Sequence, residues 1–162
     1  CKDLSDESRA KLIVALGVET SSNDALKKAI NEDNEAAAMD LVDVVVAAGE
    51  LHIAKGDGMR TVLEDAAHWG MPRLIQKLLD AGAKPVRDSG SPRALMIAIE
   101  GRSPETALLL IAPSKGALDF KSHIGDQTPL MQAQECLNNP EIGEGRKPVY
   151  EQIVTALKAA RD

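Results

Sequence analysis

The sequence predicts an all-α fold of stacked helix-turn-helix units, and three observations carry that prediction. First, its 162 residues are 44% hydrophobic yet include only Trp69, Phe120 and Tyr150 as aromatics. A core made of Ala, Leu, Ile and Val suits closely approaching helices better than a sandwich or barrel. Second, a leucine-led segment recurs as NDALKKAINEDN (23–34), TVLEDAAHWG (61–70), RALMIAIEGR (93–102) and TPLMQAQECL (128–137). Leu26, Leu63, Leu95 and Leu130 are separated by 37, 32 and 35 residues, a near-fixed period of the kind that marks repeat architectures. Third, each opener precedes an apolar second segment: AAAMDLVDVVVAAG (36–49), RLIQKLLDAGA (73–83), ETALLLIA (105–112) and YEQIVTALKAA (150–160).

Taken in order, residues 4–17 (LSDESRAKLIVALG) read as an N-terminal capping helix. Ser5 or Ser8 can cap it, and Leu12, Ile13 and Leu16 form an apolar stripe ending at Gly17. Four units follow, at 21–56, 57–91, 92–126 and 127–162, the first about one helical turn longer than the others. The second unit is the clearest. Thr61 stands as an N-cap, with Glu64 three residues later to close a capping box. Ala66 and Ala67 are small enough for neighbouring hairpins to stack closely. Gly70 and Gly82 fall where helices end in a left-handed residue, and Pro72 falls where the second helix starts. No unit can bury its apolar face alone, so stability must come from its neighbours. Two stretches exceed the pattern: APSKGALDFKSHIGDQ (112–127), and CLNNPEIGEGRKP (136–148) between the last two helices. Long insertions in such stacks lie on one face, often the binding face.

The pattern resembles the ankyrin repeat, with its Thr-Pro-Leu-His opener, Ala-Ala pair, Gly, and Leu-Leu…Gly-Ala ending. Thr61, Leu63, Ala66, Ala67, Gly70, Leu78, Leu79, Gly82 and Ala83 carry it in the second unit. Thr128, Pro129, Leu130 and Ala133 carry it in the fourth. The resemblance covers roughly residues 21–162 and implies an ankyrin-repeat solenoid forming a single domain over 1–162. Arg102 and Leu137 stand where the family has its first Gly, which alters the turns of the third and fourth units.

Composition limits the function. A net charge of −6 and a pI near 5.1 argue against nucleic acid, whose phosphates need clustered Lys and Arg. VVVAAG at 44–49 is far too short to span a membrane. Cys1 and Cys136 fit no zinc or redox spacing. His52, His68 and His123 are scattered and carry no metal-ligand pattern. KGDGMR (55–60) and GEGR (143–146) lack the full phosphate-cradling motif and read as turns. Glu32, Asp33, Glu35, Asp40 and Asp43 read as a solvated helix face, and no nucleophile elbow is present. The expectation is therefore a non-catalytic protein with no cofactor and no metal.

In ankyrin repeats the two residues before the Gly, and the loop before the Thr, face the partner. By position the resemblance assigns Asn31 and Glu32, His68 and Trp69, Glu100 and Gly101, and Glu135 and Cys136. The loop set is Met59 and Arg60, Ser89–Pro92, and Ile124–Gln127, including Asp126 and Gln127. Tryptophan is a frequent interface anchor, and an acidic rim steers a basic partner. Other readings stay open: Trp69 covering a neighbouring helix, the acids serving solubility alone, and Cys136 as a small buried hydrophobe.

A chain opening on Cys1 also resembles a mature bacterial lipoprotein, acylated at that cysteine. Lys2 is then compatible with outer-membrane sorting, and the linker before the helix is short. Together these features lead to the expectation of a periplasmic immunity protein. It would block a secreted effector with a basic surface, such as a type VI secretion phospholipase. The alternatives are a scaffold domain from a larger cytoplasmic or host-directed protein, and a small-molecule or enzyme function, for which the histidines would have to converge.

Overall fold

The computed structural model describes residues 21–54, 59–122 and 125–161. Cys1, the capping helix expected at 4–17, most of the KGDGMR loop, His123 and Ile124 lie outside the described residues.

Local chemistry sets the helix limits. Helix α1 (Ser22–Asn31) starts where the Ser21 hydroxyl accepts from Asp24 N–H. Helix α2 (Glu35–Ala47) starts where the Asn34 side chain accepts from Ala37 N–H. Helix α3 (Val62–Trp69) has the complete capping box expected of Thr61 and Glu64. Helix α4 (Pro72–Asp80) has proline in its first turn, where the missing N–H costs no helical bond. Four of these helix ends share one closure. Asp33, Gly49, Gly70 and Gly82 are left-handed, and the next residue's N–H reaches back to Ala29, Val45, Ala66 and Leu78 O. Asp33 thus fills in the first unit the position that Gly70 fills in the second.

The later units depart from that closure. Helix α5 (Arg93–Glu100) ends at Gly101 with φ −71° rather than in a left-handed residue. A 3₁₀ turn (Pro104–Thr106) then leads into the short α6 (Ala107–Ile111). Helix α7 (Pro129–Asn138) continues through Leu137, the position at which the sequence pattern expected a turn. Because α8 (Lys147–Arg161) also starts early, the connection is shorter than the 136–148 stretch expected. The 112–127 insertion contains a second 3₁₀ turn (Lys115–Ala117), and Ala117 and Leu118 are buried.

These eight helices are the α-helices of the described residues, among which no β-strand occurs. Each pairs with its hairpin partner, α1 with α2, α3 with α4, α5 with α6 and α7 with α8. Between hairpins, α1, α3, α5 and α7 touch in sequence, as do α2, α4, α6 and α8. The result is two rows of helices with a shared apolar interior. Leu26, Leu63, Leu74, Leu78, Leu95, Leu110 and Leu157 are at most 1% exposed and belong to one cluster. Burying each such side chain contributes about 1.5–3 kcal/mol. Ala66, Ala67, Ala98 and Ala133 are fully buried within the cluster, where their size lets the helices approach.

The second and third hairpins meet at their tips through bare backbone. Arg102 N–H donates to His68 O at 3.1 Å. A Cβ on Gly101 would lie 2.9 Å from Ala67 O, and one on Gly70 would lie 2.5 Å from Ser103 Cβ. Gly82 is also left-handed, but a Cβ there meets nothing within 4 Å. Gly82→Ala should therefore cost about 1 kcal/mol in denaturant unfolding, from backbone strain alone. Gly70→Ala adds a steric clash and should cost about 2–4 kcal/mol. Equal losses at the two positions would show that the tips are not packed this closely.

Candidate functional site

The contact between first helices in the row brings their C-terminal ends into succession. At the first tip, Asn31 and Glu32 are exposed. At the second, His68 and Trp69 are half-buried, and Trp69 packs against the apolar cluster. The Arg102 guanidinium lies 4.5 Å over the Trp69 ring, and His68 meets that ring edge-on at 6.3 Å. Arg102 also approaches Asp33 Oδ2 at 3.8 Å. One side chain from the third unit therefore touches the first two. Both partners in the Arg102–Asp33 pair are well exposed, so the ion pair itself contributes little. Burial and the neighbouring Arg60 hold the His68 imidazole below its ordinary pKa; Arg102 adds to this and Asp65 opposes it.

Met59 and Arg60, the loop residues before α3, are anchored by two buried carboxylates. Glu64 is 3% exposed and accepts from Arg87 Nε and Nη2, both at 2.7 Å. Arg87 also donates to Met59 O at 2.7 Å, tying the preceding loop to the following one. This hydrogen bonding to Glu64 raises the Arg87 pKa further. Lys27 Nζ donates to Asp65 Oδ2 and to Arg60 O, each at 2.6 Å. Met59 is 60% exposed and left-handed at φ 50°. Asp126, two residues before the N-cap Thr128, is left-handed at φ 54°, as Met59 is two residues before Thr61.

A groove between α5, residues 120–122 and 125–127, and α7 gathers Glu100, Gln127 and Glu135. Gln127 Nε2 donates to Glu135 Oε2. Cys136 is half-buried and packs on the apolar cluster. Burial and the Glu100 and Glu135 carboxylates push its thiol pKa up, against the Tyr150 hydroxyl. Tyr150 is 4% exposed and donates to Ile99 O at 2.7 Å, tying α8 to the end of α5. Burial, then the adjacent Cys136, raises its phenol to about 12.

The predicted surface residues thus fall into two groups. Asn31, Glu32, His68 and Trp69 lie at the first two tips, with Met59 and Arg60 in the loop before α3. Glu100, Gln127 and Glu135 line the groove. Asp126 stands beside Gln127, is exposed, and pairs with Lys121 at 3.4 Å. Sequence reasoning missed the contacts of Arg102, Asp33 and Arg87. Arg102 and Asp33 could have been found, since both sit at or beside the turn-glycine position.

Comparisons with protein-family models, curated proteins and solved structures find no match to this chain. Among the described residues, no three His, Cys, Asp or Glu side chains form a metal-binding group. None of their helices is long and apolar enough to cross a membrane.

Arg87→Met leaves the Glu64 charge buried, with Arg93 at 3.9 Å as its remaining ion-pair contact among the described residues. It should cost about 2–4 kcal/mol, and adding Glu64→Gln should recover part of that. A double variant no more stable than Arg87→Met would remove the charge argument. The folded-state pKa of Tyr150 lies above its unfolded value of 10, so its contribution is complete below pH 10 and is lost as pH rises toward about 12. Unfolding free energy should therefore decline more steeply across that window in the parent than in Tyr150→Phe. Parallel pH profiles would contradict the assignment.

Proposed function

We propose that this chain is an ankyrin-type repeat protein that binds another protein and performs no catalysis. Several features support the repeat reading: helices that contact their neighbours in two rows, the Thr61 and Thr128 caps, and the shared left-handed ends at Asp33 and Gly70. The observation that carries the binding reading is the row of first helices. It brings Glu32, His68 with Trp69, and Glu100 to the C-terminal ends of three successive helices, with Glu135 about one turn before the end of the fourth. An aromatic anchor flanked by exposed acids is a composition suited to partner recognition.

The more specific form of this proposal is an inhibitor that clamps a secreted effector through a basic surface and blocks its active site. The exposed carboxylates of Glu32, Glu100 and Glu135 are the features in its favour. Trp69 then acts together with Arg102, because the guanidinium must shift or be shared when a partner reaches the ring. Binding to candidate secreted effectors, measured by calorimetry, should weaken by about tenfold or more on Trp69→Ala. Unchanged affinity for a bound effector would place the interface elsewhere.

A further inference from the structure

The Arg102 guanidinium is held in place, yet its hydrogen-bonding capacity is unspent. The residue's backbone is fixed by the N–H bond to His68 O at 3.1 Å, beside Gly101, where a Cβ would lie 2.9 Å from Ala67 O. Its side chain lies 4.5 Å over the Trp69 ring, and that ring packs on the apolar cluster. Stacking occupies one face of the guanidinium and leaves the donors in its plane available. None of them makes a hydrogen bond with a described residue, and Asp33 Oδ2, 3.8 Å from Nη1, is within ion-pair range only. The side chain is 59% exposed, so those donors are open to a partner. Arg87 and Arg161 differ, each reaching a carboxylate at 2.7 Å, on Glu64 and Asp119 respectively.

The surroundings favour an anion with a single charge. Arg60 also stands 3.8 Å from its carboxylate neighbour, Asp65, which Lys27 already holds at 2.6 Å. Two cations at this tip thus lack a close acidic partner. The planar fork of a guanidinium matches a carboxylate with two parallel hydrogen bonds. A phosphate offers the same match, but Asp33 and its neighbour Glu32 are exposed carboxylates that repel a second negative charge. A mobile arginine loses rotamer freedom when it binds, and the stack on Trp69 has already removed part of that freedom.

We propose that the Trp69–Arg102 stack receives an aspartate or glutamate side chain from a partner protein. The Arg102 guanidinium is the two-donor fork, and the half-buried Trp69 ring is the platform that holds it. The proposal rests on the protein-binding reading above and adds the partner's chemistry: one acid set within the basic surface that the exposed Glu32 and Glu100 call for.

The test is an NMR titration of the isotope-labelled chain with a capped Gly-Glu-Gly peptide, using capped Gly-Gln-Gly as the neutral control. The Arg102 Nε–H and Trp69 indole N–H signals should shift with the glutamate peptide, and binding should weaken about tenfold with glutamine. Arg102→Lys keeps the charge but loses the fork, and should also weaken binding about tenfold. Asp33→Asn removes the competing carboxylate at a left-handed position that asparagine tolerates, and should tighten binding by up to about fivefold. Unchanged melting temperatures would show that both variants fold. Equal shifts with the two peptides, no shift at the stack, full binding in Arg102→Lys or weaker binding in Asp33→Asn would overturn the assignment. A protein partner that needs Trp69 but binds Arg102→Lys unchanged would overturn it too, leaving the protein-binding reading intact. A glutamate peptide held at the stack by a chain that binds no effector would uphold the site and count against that reading.

Discussion

Stacking of aliphatic faces between neighbouring hairpins is the interaction on which everything else depends. Helices α3 and α5 have eight residues each, and α6 has five. Helices this short are marginal alone in water, so propensity cannot hold them. Burial of Leu63, Leu74, Leu78 and Leu95 in one cluster does, and the alanines between them set the spacing. The tips follow from that spacing. With Ala67 and Ala98 at the interface, the backbones of the second and third hairpins come close enough for Arg102 N–H to reach His68 O. Gly70 and Gly101 are then required for steric reasons, at a contact the apolar stripe has already fixed.

The same approach brings charges together across units. Glu64 has two roles: it completes the capping box of its own helix and receives the Arg87 guanidinium from the next loop. Lys27 reaches from the first unit to Asp65 and the Arg60 carbonyl in the second. Glu35, in the first turn of α2, accepts from Leu74 N–H in the first turn of α4. Lys77 returns from α4 to Met39 O. Desolvated pairs of this kind add little net stability. They do fix the register of one hairpin against the next, because a slip leaves a buried carboxylate alone.

This pattern explains which parts of the fold were legible in the sequence. The Thr61–Glu64 box, the left-handed Gly70 and Gly82, and Pro72 at a helix start are local, set by residues within a turn of each other. They could be read directly, as could the leucine period. The partners of Glu35, Asp33 and Asp43 are 39, 69 and 34 residues away, and no local pattern distinguishes such carboxylates from a solvated face. The extent of α7 was missed for a related reason. The expected turn at Leu137 rested on a repeat position, whereas in the fold Leu137 packs on the apolar cluster and the helix continues to Asn138. Trp69 was legible as a tip residue, but Arg102 over its ring was not, because that contact needs the third hairpin in place.

The two candidate surfaces differ in how their charge is balanced. At the second tip the cations Arg60 and Arg102 have acidic neighbours in Asp65 and Asp33. Together with burial they keep the His68 imidazole from gaining a proton near neutrality. In the groove the balance is one-sided. The Cys136 thiol and Tyr150 phenol are both pushed toward their protonated, neutral forms, so neither contributes charge near neutral pH. The negative potential there comes from the exposed Glu100 and Glu135 carboxylates, beside a neutral amide and a protonated phenol. Attraction by exposed carboxylates falls with ionic strength, because salt screens them over about 8 Å under physiological conditions. The charge of the groove is thus a salt-sensitive feature supplied by the two exposed glutamates.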